Sequence, residues 1–484
     1  MNQNNISAAE LFLRVRELLI LPELEPKTRN KMMHDTLILC CHEGVKETKQ
    51  AFGNLFSQVD YLCKAHGIKV ADKIAIQTMR RHSNSQEPLS SEDLKYDARA
   101  LAIFISAVFG VDVPHELNVL IPHTNRPYQK GLEINNRRIR CIVKNWDSDF
   151  IRMDIDQDAD EEEYLVQLKD EENHIDHTYL WDILKEGMQL NLLDCQVKQP
   201  VITPRLIVVE PDYLVDISSI ATCFTAFGHH PLLYLLNQMK PRANTQATLL
   251  GNFAGAALDD IINTNGKYQM NETIKTNFRE KALEFCTCPW FDAKKFYTDA
   301  NQQAFNLQQV VDILFPRTAS QAQMSAFRGE SLYDRKKAIL EPSFVCEALG
   351  IQGRVDLMTT DCKLLVEQKS GRNMNIETHQ VDPGYHSYQL EPHYVQLLLY
   401  YGVLQHNFKL SNDRVNIRLL YSKYQPQDGL MVVAYYQKLF KEAIEYRNQL
   451  VAASFEIAKE GFEHALNEFT PDVLNVAGTQ DFFY

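Results

Sequence analysis

The spacing of apolar residues changes several times along this chain, and each spacing limits the structure that its stretch can form. Residues 7–119 place apolar side chains at helical intervals, as in AAELFLRVRELLIL, which predicts a helical module. Residues 126–209 contain short β-rich runs between polar turns, which predicts a small barrel or sheet. Helical spacing returns over 216–337, strands and one helix follow over 339–424, and a long amphipathic helix is expected over 436–469.

A chain of 484 residues is also too long for one hydrophobic core. We therefore predict an α/β protein made of several parts. They are a helical N-terminal module (1–122), a small β-barrel-like or OB-like module (123–210), a mixed central sheet flanked by helices (211–425) and a C-terminal helical segment (426–484).

The composition and the N-terminal residues bear on the location of the protein. Hydrophobic residues make up 45% and charged residues 23% of the chain, as in ordinary globular proteins. The first residues lack the basic flank and apolar run of a secretion signal, and no stretch of about 18 apolar residues is present to span a membrane. We expect a cytoplasmic protein that does not bind a membrane. The ten cysteines are expected to be reduced, and none forms the C-x2-C pair that begins a zinc site.

The net charge of −13 confines any binding of nucleic acid to a local basic surface, because Lys and Arg must neutralise the phosphates. The segment RPYQKGLEINNRRIRCIVKNW is the best candidate. It interleaves the aromatic residues Tyr128 and Trp146 with the cations Arg126, Lys130, Arg137, Arg138, Arg140 and Lys144. Cations that follow phosphates beside aromatics that stack on bases are what a single-strand-binding barrel needs. The alternative is an edge strand whose charges discourage aggregation.

The segment LEPSFVCEALGIQGRVDLMTTDCKLLVEQKSGR, residues 340–372, is the one most informative about chemistry. It predicts a meander of strands joined by short turns. One strand runs up to Glu347 before a turn at Gly350, a second runs through Asp356 before a turn at 359–361, and a third runs through Lys369.

The meander is expected to bring three charged side chains together. Because side chains alternate along a strand, Glu367 and Lys369 point to one face while Gln368 points away, and the neighbouring strand can bring Asp356 beside them. Asp356, Glu367 and the main-chain carbonyl of Gln368 can hold Mg²⁺ or Mn²⁺, since these hard cations prefer oxygen ligands. Lys369 can orient or help deprotonate the attacking water, or neutralise charge in the transition state. The group predicts phosphodiester hydrolysis, and the alternative is an exposed hairpin with an ordinary ion pair.

This segment resembles the RecB-type branch of the PD-(D/E)XK nucleases, and especially the nuclease half of helicase-nucleases that act in DNA replication and repair. In that branch the helix after the E-x-K strand carries a Q-x3-Y signature, often preceded by His. The stretch HYVQLLLY supplies His393, Gln396 and Tyr400 here. Gln396 and Tyr400 are four residues apart and therefore share one helical face.

The resemblance covers about 210–403, since EPDYLVDISSIATC and the pair Leu340-Glu341 are also similar to that branch. It implies a restriction-endonuclease-like core for the third part of the chain. It also implies a Mg²⁺- or Mn²⁺-dependent deoxyribonuclease that acts on single-stranded ends or flaps of DNA. The residues implied in substrate contacts are Gln396, Tyr400, Arg354 and Arg372, and those implied in auxiliary roles are Glu341, Asp259 and His393.

The chain departs from this branch in three ways. In that branch the helix upstream of the core usually carries a metal-binding His, and the corresponding stretch GNFAGAALDDII has none. Asp259 or Asp260 can supply an oxygen ligand instead. The alternative is that both are solvated carboxylates on a helix surface. Several relatives bind an iron–sulfur cluster through one early Cys and three later ones. Cys223 matches the first, but the last cysteine of the chain is Cys362, so no cluster is expected. No phosphate-loop motif occurs, so a helicase motor is expected either in a longer chain or in a separate partner.

Two other functions stay open on the sequence. One is a nucleic-acid-binding scaffold that kept the nuclease fold with weak or no catalysis, which the missing His favours. The other is a metal site that serves cleavage of RNA or defence-type cleavage.

Overall fold

The computed structural model describes residues 6–21, 25–48, 50, 52–85, 88–126, 137–156, 163–225, 228–239, 244–264, 267–381, 387–410, 414–461, 463–464 and 467. Their fold is mixed α/β, which confirms the predicted class. The chain divides into two compact units, Met1–Tyr213 with Ala452–Ala465 and Leu214–Val451 with Leu466–Tyr484. The finer division into four parts stays a prediction. Within the described residues, no helix is both long and apolar enough to cross a membrane.

The first unit begins with helices whose apolar faces pack into a common core. They are α1 (Ala8–Ile20), α2 (Pro26–Gly44), α3 (Leu55–Ala65), α4 (Val70–Ser83), α5 (Ser91–Phe109) and α6 (His115–Asn118). The side chains of Ser7, Asn54 and Ser90 start α1, α3 and α5 by accepting a hydrogen bond from a first-turn backbone N–H that has no partner within the helix. Gly110 ends α5 in the left-handed conformation that glycine adopts without strain.

The rest of the first unit is a β-sheet with its own core. Its strands are β1 (Arg138–Trp146), β2 (Phe150–Ile155), β3 (Tyr164–Gln167), β4 (Lys169–Asp170), β5 (Ile175–Asp176), β6 (Gln189–Leu193), β7 (Gln196–Lys198), β8 (Val201–Thr203) and β9 (Leu206–Val209). The main sheet has the order β7-β8-β3-β2-β1-β6-β9 among the described strands. Strand β1 pairs antiparallel with both β2 and β6. The edge-strand alternative for the basic segment is therefore wrong, because β1 has a hydrogen-bonded neighbour on each side.

The second unit alternates helices with short strands. Its helices are α7 (Ile217–Ala221), α8 (Leu232–Met239), α9 (Gln246–Asn263), α10 (Met270–Glu280), α11 (Ala282–Cys286), α12 (Ala293–Leu314), α13 (Ala319–Phe327), α14 (Met374–Thr378), α15 (Glu391–Phe408) and α16 (Pro426–Gly429), followed by the C-terminal helix α17 (Gln437–Glu460), which belongs to this unit as far as Val451. Its strands are β10 (Val215–Asp216), β11 (Phe224–Thr225), β12 (Gly228–His229), β13 (Ala338–Leu340), β14 (Ser343–Cys346), β15 (Ile351–Arg354), β16 (Leu357–Thr359), β17 (Leu364–Lys369), β18 (Asn416–Tyr421) and β19 (Leu430–Val432). The β11–β12 hairpin interrupts a stretch predicted to be helical, because strands of two residues are too short to show an alternating pattern.

The central sheet of the second unit has the order β13-β16-β17-β18-β19 among the described strands. Strand β17 is parallel to β18 and antiparallel to β16, so this sheet is mixed. Leu364 and Val366 belong to one core with α9 and α12. Because side chains alternate along β17, Glu367 and Lys369 point to the opposite face. There α15 lies against the sheet, as shown by the hydrogen bond from Gln396 to Glu367.

The predicted meander is divided between two sheets, which corrects its simple form. Strands β14 and β15 pair with β10 in one sheet, whereas β13 and β16 pair in the central sheet. The first strand breaks at Pro342, which has no N–H to donate to a neighbouring strand. The second strand breaks at Val355 and Asp356, which lie opposite this proline. At this point the backbone N–H of Glu341 donates to the carbonyl of Asp356 at 3.0 Å. The strands therefore change sheets together, and both carboxylates lie at the junction.

Candidate active site

Strand β17 presents an acid and a lysine side by side. Lys369 Nζ lies 2.8 Å from Glu367 Oε1. The Glu367 side chain is only 3% exposed, whereas that of Lys369 is 21% exposed. The two side chains share one face of the strand, as the alternation predicts. On that face the acid is buried, and its lysine partner is in contact with solvent.

Helix α15 holds both of these side chains through Gln396. The Gln396 amide donates from Nε2 to Glu367 Oε1 at 2.6 Å and accepts at Oε1 from Lys369 Nζ at 2.8 Å. One turn further along α15, Tyr400 donates to the carbonyl of Arg354 at 2.6 Å. Gln396 and Tyr400, which the resemblance assigned to substrate contacts, are thus buried residues that position the acid, the lysine and the end of β15.

The close approach of Tyr400 to β15 requires a glycine. A Cβ atom on Gly353 would lie 2.9 Å from Tyr400 Cε1 and 3.3 Å from the Cβ of Ile217. The glycine before Arg354 therefore lets the Q-x3-Y helix reach the strand that leads to Asp356.

Asp356 is joined directly to β17. Its Oδ2 atom accepts a hydrogen bond from the backbone N–H of Gln368 at 2.5 Å. Burial raises the pKa of Asp356, and Glu341 raises it further, while the Gln368 N–H and Lys369 act in the opposite direction. The structure thus brings Asp356, Glu367 and Lys369 into one cluster.

Glu367 is the most confined acid of this cluster. Burial and then the charge of Asp356 raise the pKa of Glu367 above its usual range, although Lys369 opposes them. Its Oε2 atom is buried and has no hydrogen-bond partner among the described residues. An acceptor in this position is destabilising unless something supplies positive charge or a proton.

Helix α9 adds a third acid to the surroundings of Asp356. Burial, then Glu341 and then Asp356, raise the pKa of Asp259 to about 7. The adjacent Asp260 instead accepts a hydrogen bond from Thr273 at 2.5 Å. The charges of Glu341 and Asp356 thus act on Asp259, whereas Asp260 has a hydrogen-bond partner of its own, a difference that sequence reasoning could not show.

The donor set fits a hard divalent cation. The described residues contain no group of three or more His, Cys, Asp or Glu side chains already arranged to hold a metal ion. Asp356 and Glu367 nevertheless offer carboxylate oxygens in a buried cluster, and the unpartnered Oε2 of Glu367 is the kind of ligand that Mg²⁺ or Mn²⁺ prefers.

The auxiliary residues have well-defined partners. Arg354 forms an ion pair with Glu341 at 3.1 Å, and Arg372 forms one with Glu377 at 2.5 Å. His393 Nδ1 lies 3.0 Å from the hydroxyl of Tyr421. Burial, and then Lys369, lower the pKa of His393 to about 4, so this imidazole is neutral at pH 7.

A buried polar network supports β17 from the face opposite Glu367, and sequence reasoning missed it. The Gln368 amide donates to Ser422 Oγ at 2.8 Å, and Ser422 donates to Gln303 Oε1 at 2.7 Å. Gln303 Nε2 also donates to the carbonyl of Ser370 at 3.1 Å, and Asn306 donates to the carbonyl of Ser422 at 2.9 Å. The available signal was the spacing of Gln303 and Asn306, which places two amides on an otherwise apolar face of α12.

The predicted nucleic-acid surface of the first unit is partly occupied by internal ion pairs. Arg140 binds Asp212 through two hydrogen bonds of 2.9 and 3.0 Å, and Lys144 pairs with Asp154 at 2.6 Å. Trp146 packs against the core of the sheet. Arg137 and Arg138 lie at the start of β1, whereas Tyr128 and Lys130 lie outside the described residues.

Cys223, the match to the early cluster ligand of the family, is fully buried. Burial raises the pKa of its thiol to about 12. The side chain therefore packs as a small neutral group. The absence of an iron–sulfur cluster stays a prediction.

Comparison with known proteins adds no relative. No protein-family model matches the chain, and no curated protein matches it. The geometry of the site therefore carries the functional argument.

Proposed function

We propose that this chain is a metal-dependent DNA nuclease with a PD-(D/E)XK core of the RecB type. The observation that carries the proposal is the surroundings of Glu367. One carboxylate oxygen is held by Lys369 and Gln396, while the other is buried without a partner among the described residues, close to Asp356. An ordinary structural ion pair has no need of a second, half-buried carboxylate or of a buried oxygen without a partner.

Asp356, Glu367 and the main-chain carbonyl of Gln368 would hold Mg²⁺ or Mn²⁺. When bound, the metal would polarise the scissile phosphate and lower the pKa of a water molecule. Asp259 would contribute a further carboxyl group from α9 to the same cluster.

Lys369 is the group that acts on the reacting atoms. Gln396 fixes its ammonium beside Glu367, so the positive charge is in place before a phosphate arrives. A preorganised cation of this kind stabilises the charge that builds up on the phosphate or orients the attacking water. His393 is neutral at pH 7 and therefore does not compete with Lys369 for the anionic substrate.

The substrate and a helicase partner follow from the family resemblance and belong to the proposal. They are single-stranded ends or flaps of DNA in repair or replication, and a helicase motor in the same longer chain or in trans. An OB-like module in residues 123–210 and a cytoplasmic location without membrane binding, both expected from the sequence pattern, also belong to the proposal.

Cleavage assays on labelled single-stranded, flap, duplex and RNA substrates test this function. We expect cleavage of single-stranded or flap DNA with Mg²⁺ or Mn²⁺ and none with EDTA. Asp356→Ala should abolish it, whereas Lys363→Ala, which removes an exposed lysine just before β17, should not. Binding of DNA without cleavage under all metal conditions would favour the scaffold function, and cleavage of RNA alone would overturn the DNA substrate.

A further inference from the structure

Trp290 is an exposed residue that the fold does not explain. Its side chain is 97% accessible to solvent, and its φ is +58°. This left-handed conformation is strained for a bulky residue. Since Trp normally contributes to stability by burying its large ring, neither the exposure nor the strain benefits the folded chain. Strained residues of this kind are frequent where a protein holds a ligand.

The turn that carries Trp290 has a firm base. Ring centroids lie 4.0 to 6.3 Å apart in an aromatic cluster made of Phe278, Phe285, Phe291 and Phe296. The backbone N–H of Asp292 donates to Gln246 Oε1 on α9 at 2.9 Å. The indole ring is therefore presented to solvent by an anchored turn.

Two exposed lysines that follow this turn can contact an anionic ligand. Lys294 and Lys295 are exposed, and neither forms an ion pair with a described residue. The nearest acid in sequence, Asp292, accepts a hydrogen bond from the backbone N–H of Lys295 at 3.0 Å and so caps the helix. Two cations beside an exposed indole match the phosphates and bases of a nucleic acid better than they match an apolar protein surface.

The turn lies beyond the carboxyl end of β17, where Lys369 is found. Gln303 on α12 bonds to the carbonyl of Ser370, just after β17. At the other end of α12, the carbonyl of Leu314 accepts a hydrogen bond from the backbone N–H of Tyr333, which precedes β13. The first residue of β13 pairs with Thr359 of β16, and Thr359 in turn bonds to the first residue of β17. Helix α12 thus runs antiparallel to β17. Its turns ahead of Gln303, about 15 Å of helix, extend past this end of β17, on the face of the sheet opposite to the side chains of Glu367 and Lys369.

We propose that Trp290 stacks on a base of single-stranded nucleic acid while Lys294 and Lys295 contact its phosphates, so that this turn guides the strand toward Lys369. The inference rests on the proposed nuclease function and adds a substrate-binding position to it. Stacking on an aromatic ring tolerates any base, so the position selects unpaired strands and not a sequence.

Binding of a fluorescein-labelled oligothymidylate to the full chain in EDTA tests this proposal without cleavage. Trp290→Asn keeps a residue that tolerates the left-handed conformation but removes the ring. We expect it to weaken binding roughly 5- to 150-fold, the range that follows from loss of one stacking aromatic. Trp290→Phe should retain most of the affinity. Replacing Lys294 and Lys295 with Ala should flatten the salt dependence by about 0.7 per lost phosphate contact.

Leu283→Ala is the matched control, because Leu283 is an exposed apolar residue of the neighbouring α11, 74% accessible, without an aromatic face. It should bind like the wild type. Wild-type affinity for Trp290→Asn would overturn the proposal and leave a protein-docking role for the indole. A lower unfolding temperature for Trp290→Asn would also overturn it, since the ring would then be structural. Strand binding that depends on Trp290 in a protein that never cleaves would overturn the nuclease function only.

Discussion

At the scale of single residues, the two oxygens of Glu367 have opposite surroundings. Oε1 accepts hydrogen bonds from Lys369 and Gln396, whereas Oε2 is buried without a partner among the described residues. A buried acceptor that lacks a donor is destabilising by roughly 1–3 kcal/mol. A cation placed at Oε2 would remove this penalty, so binding of a metal at this atom would stabilise the fold.

Lys369→Ala and Asp356→Ala are both expected to lose cleavage, but for different reasons. Lys369→Ala should still bind Mn²⁺ and DNA but lose cleavage, because the proposed mechanism has the lysine act on the reacting atoms and not on the metal. Asp356→Ala should lose both metal binding and cleavage. Titration calorimetry with Mn²⁺, run beside cleavage assays and melting curves, separates the two. Folded variants that cleave at the wild-type rate would show that this cluster is not the active site.

At the scale of elements, the ion pair between Arg140 and Asp212 leads to a prediction about β1. Arg140→Ala should destabilise the first unit by roughly 1–3 kcal/mol, because it removes hydrogen bonds to a charged group. It should leave the salt dependence of DNA binding unchanged, since the guanidinium is held by Asp212. Arg137→Ala with Arg138→Ala is the comparison for phosphate contact. Denaturant unfolding and binding at several salt concentrations provide the measurements, and a flatter slope for Arg140→Ala would contradict the internal role.

His229 connects three elements of the second unit. From β12 its ring nitrogens reach Glu391 on α15 at 2.6 Å and Glu442 on α17 at 2.7 Å. The hydrogen bonds to Glu391 and then Glu442 raise the pKa of His229 to about 9. A raised pKa in the folded state stabilises the fold fully below the unfolded value of 6.5, and this contribution is lost as the pH rises through about 9.

His229→Gln should therefore melt well below the wild type at pH 6, and the difference should shrink at pH 10. Melting curves over this range provide the test. His66→Gln, at an exposed position after α3, is the control for loss of an imidazole. An equal difference at both pH values would show that the ring contributes by packing against Phe224 and Tyr446 instead of by its charge.

The elements that the sequence predicted best are long helices with regularly spaced apolar residues and strands that are buried in the core. Residues of β17 are apolar until Glu367, so the strand and the alternation of Glu367 and Lys369 could be predicted from local pattern. The change of sheet at Pro342 and Asp356 could not, because it depends on which distant strand each half pairs with. The prediction that each strand continues through this junction was wrong for that reason.

The same limit applies to side chains whose partners are distant in sequence. Asp259 and Asp260 are neighbours of identical type, and only packing of α9 separates them. His229 lies more than a hundred residues from both of its acids. Gln396 and Tyr400 were found through their spacing, but their roles in holding Lys369 and Arg354 depended on the position of α15.

At the scale of the whole molecule, metal should stabilise the second unit specifically. A ligand that binds only the folded state adds about 2.7 kcal/mol at a hundred times its Kd. We expect Mg²⁺ or Mn²⁺ to raise the unfolding temperature and EDTA to reverse the effect. Asp356→Ala should show no shift, because it lacks the carboxylate that would bind the metal. Scanning calorimetry provides the measurement, and an equal shift in Asp356→Ala would place the bound metal elsewhere.

The parallel pairing of β17 with β18 also determines when the cluster can form. Parallel neighbours need a crossover connection, which α15 provides here. Contacts between residues so distant in sequence form slowly compared with those in the helices of the N-terminal part. During synthesis, Asp356, Glu367 and Lys369 are made before α15 and β18. The three side chains can therefore be enclosed together only after translation has passed Tyr421.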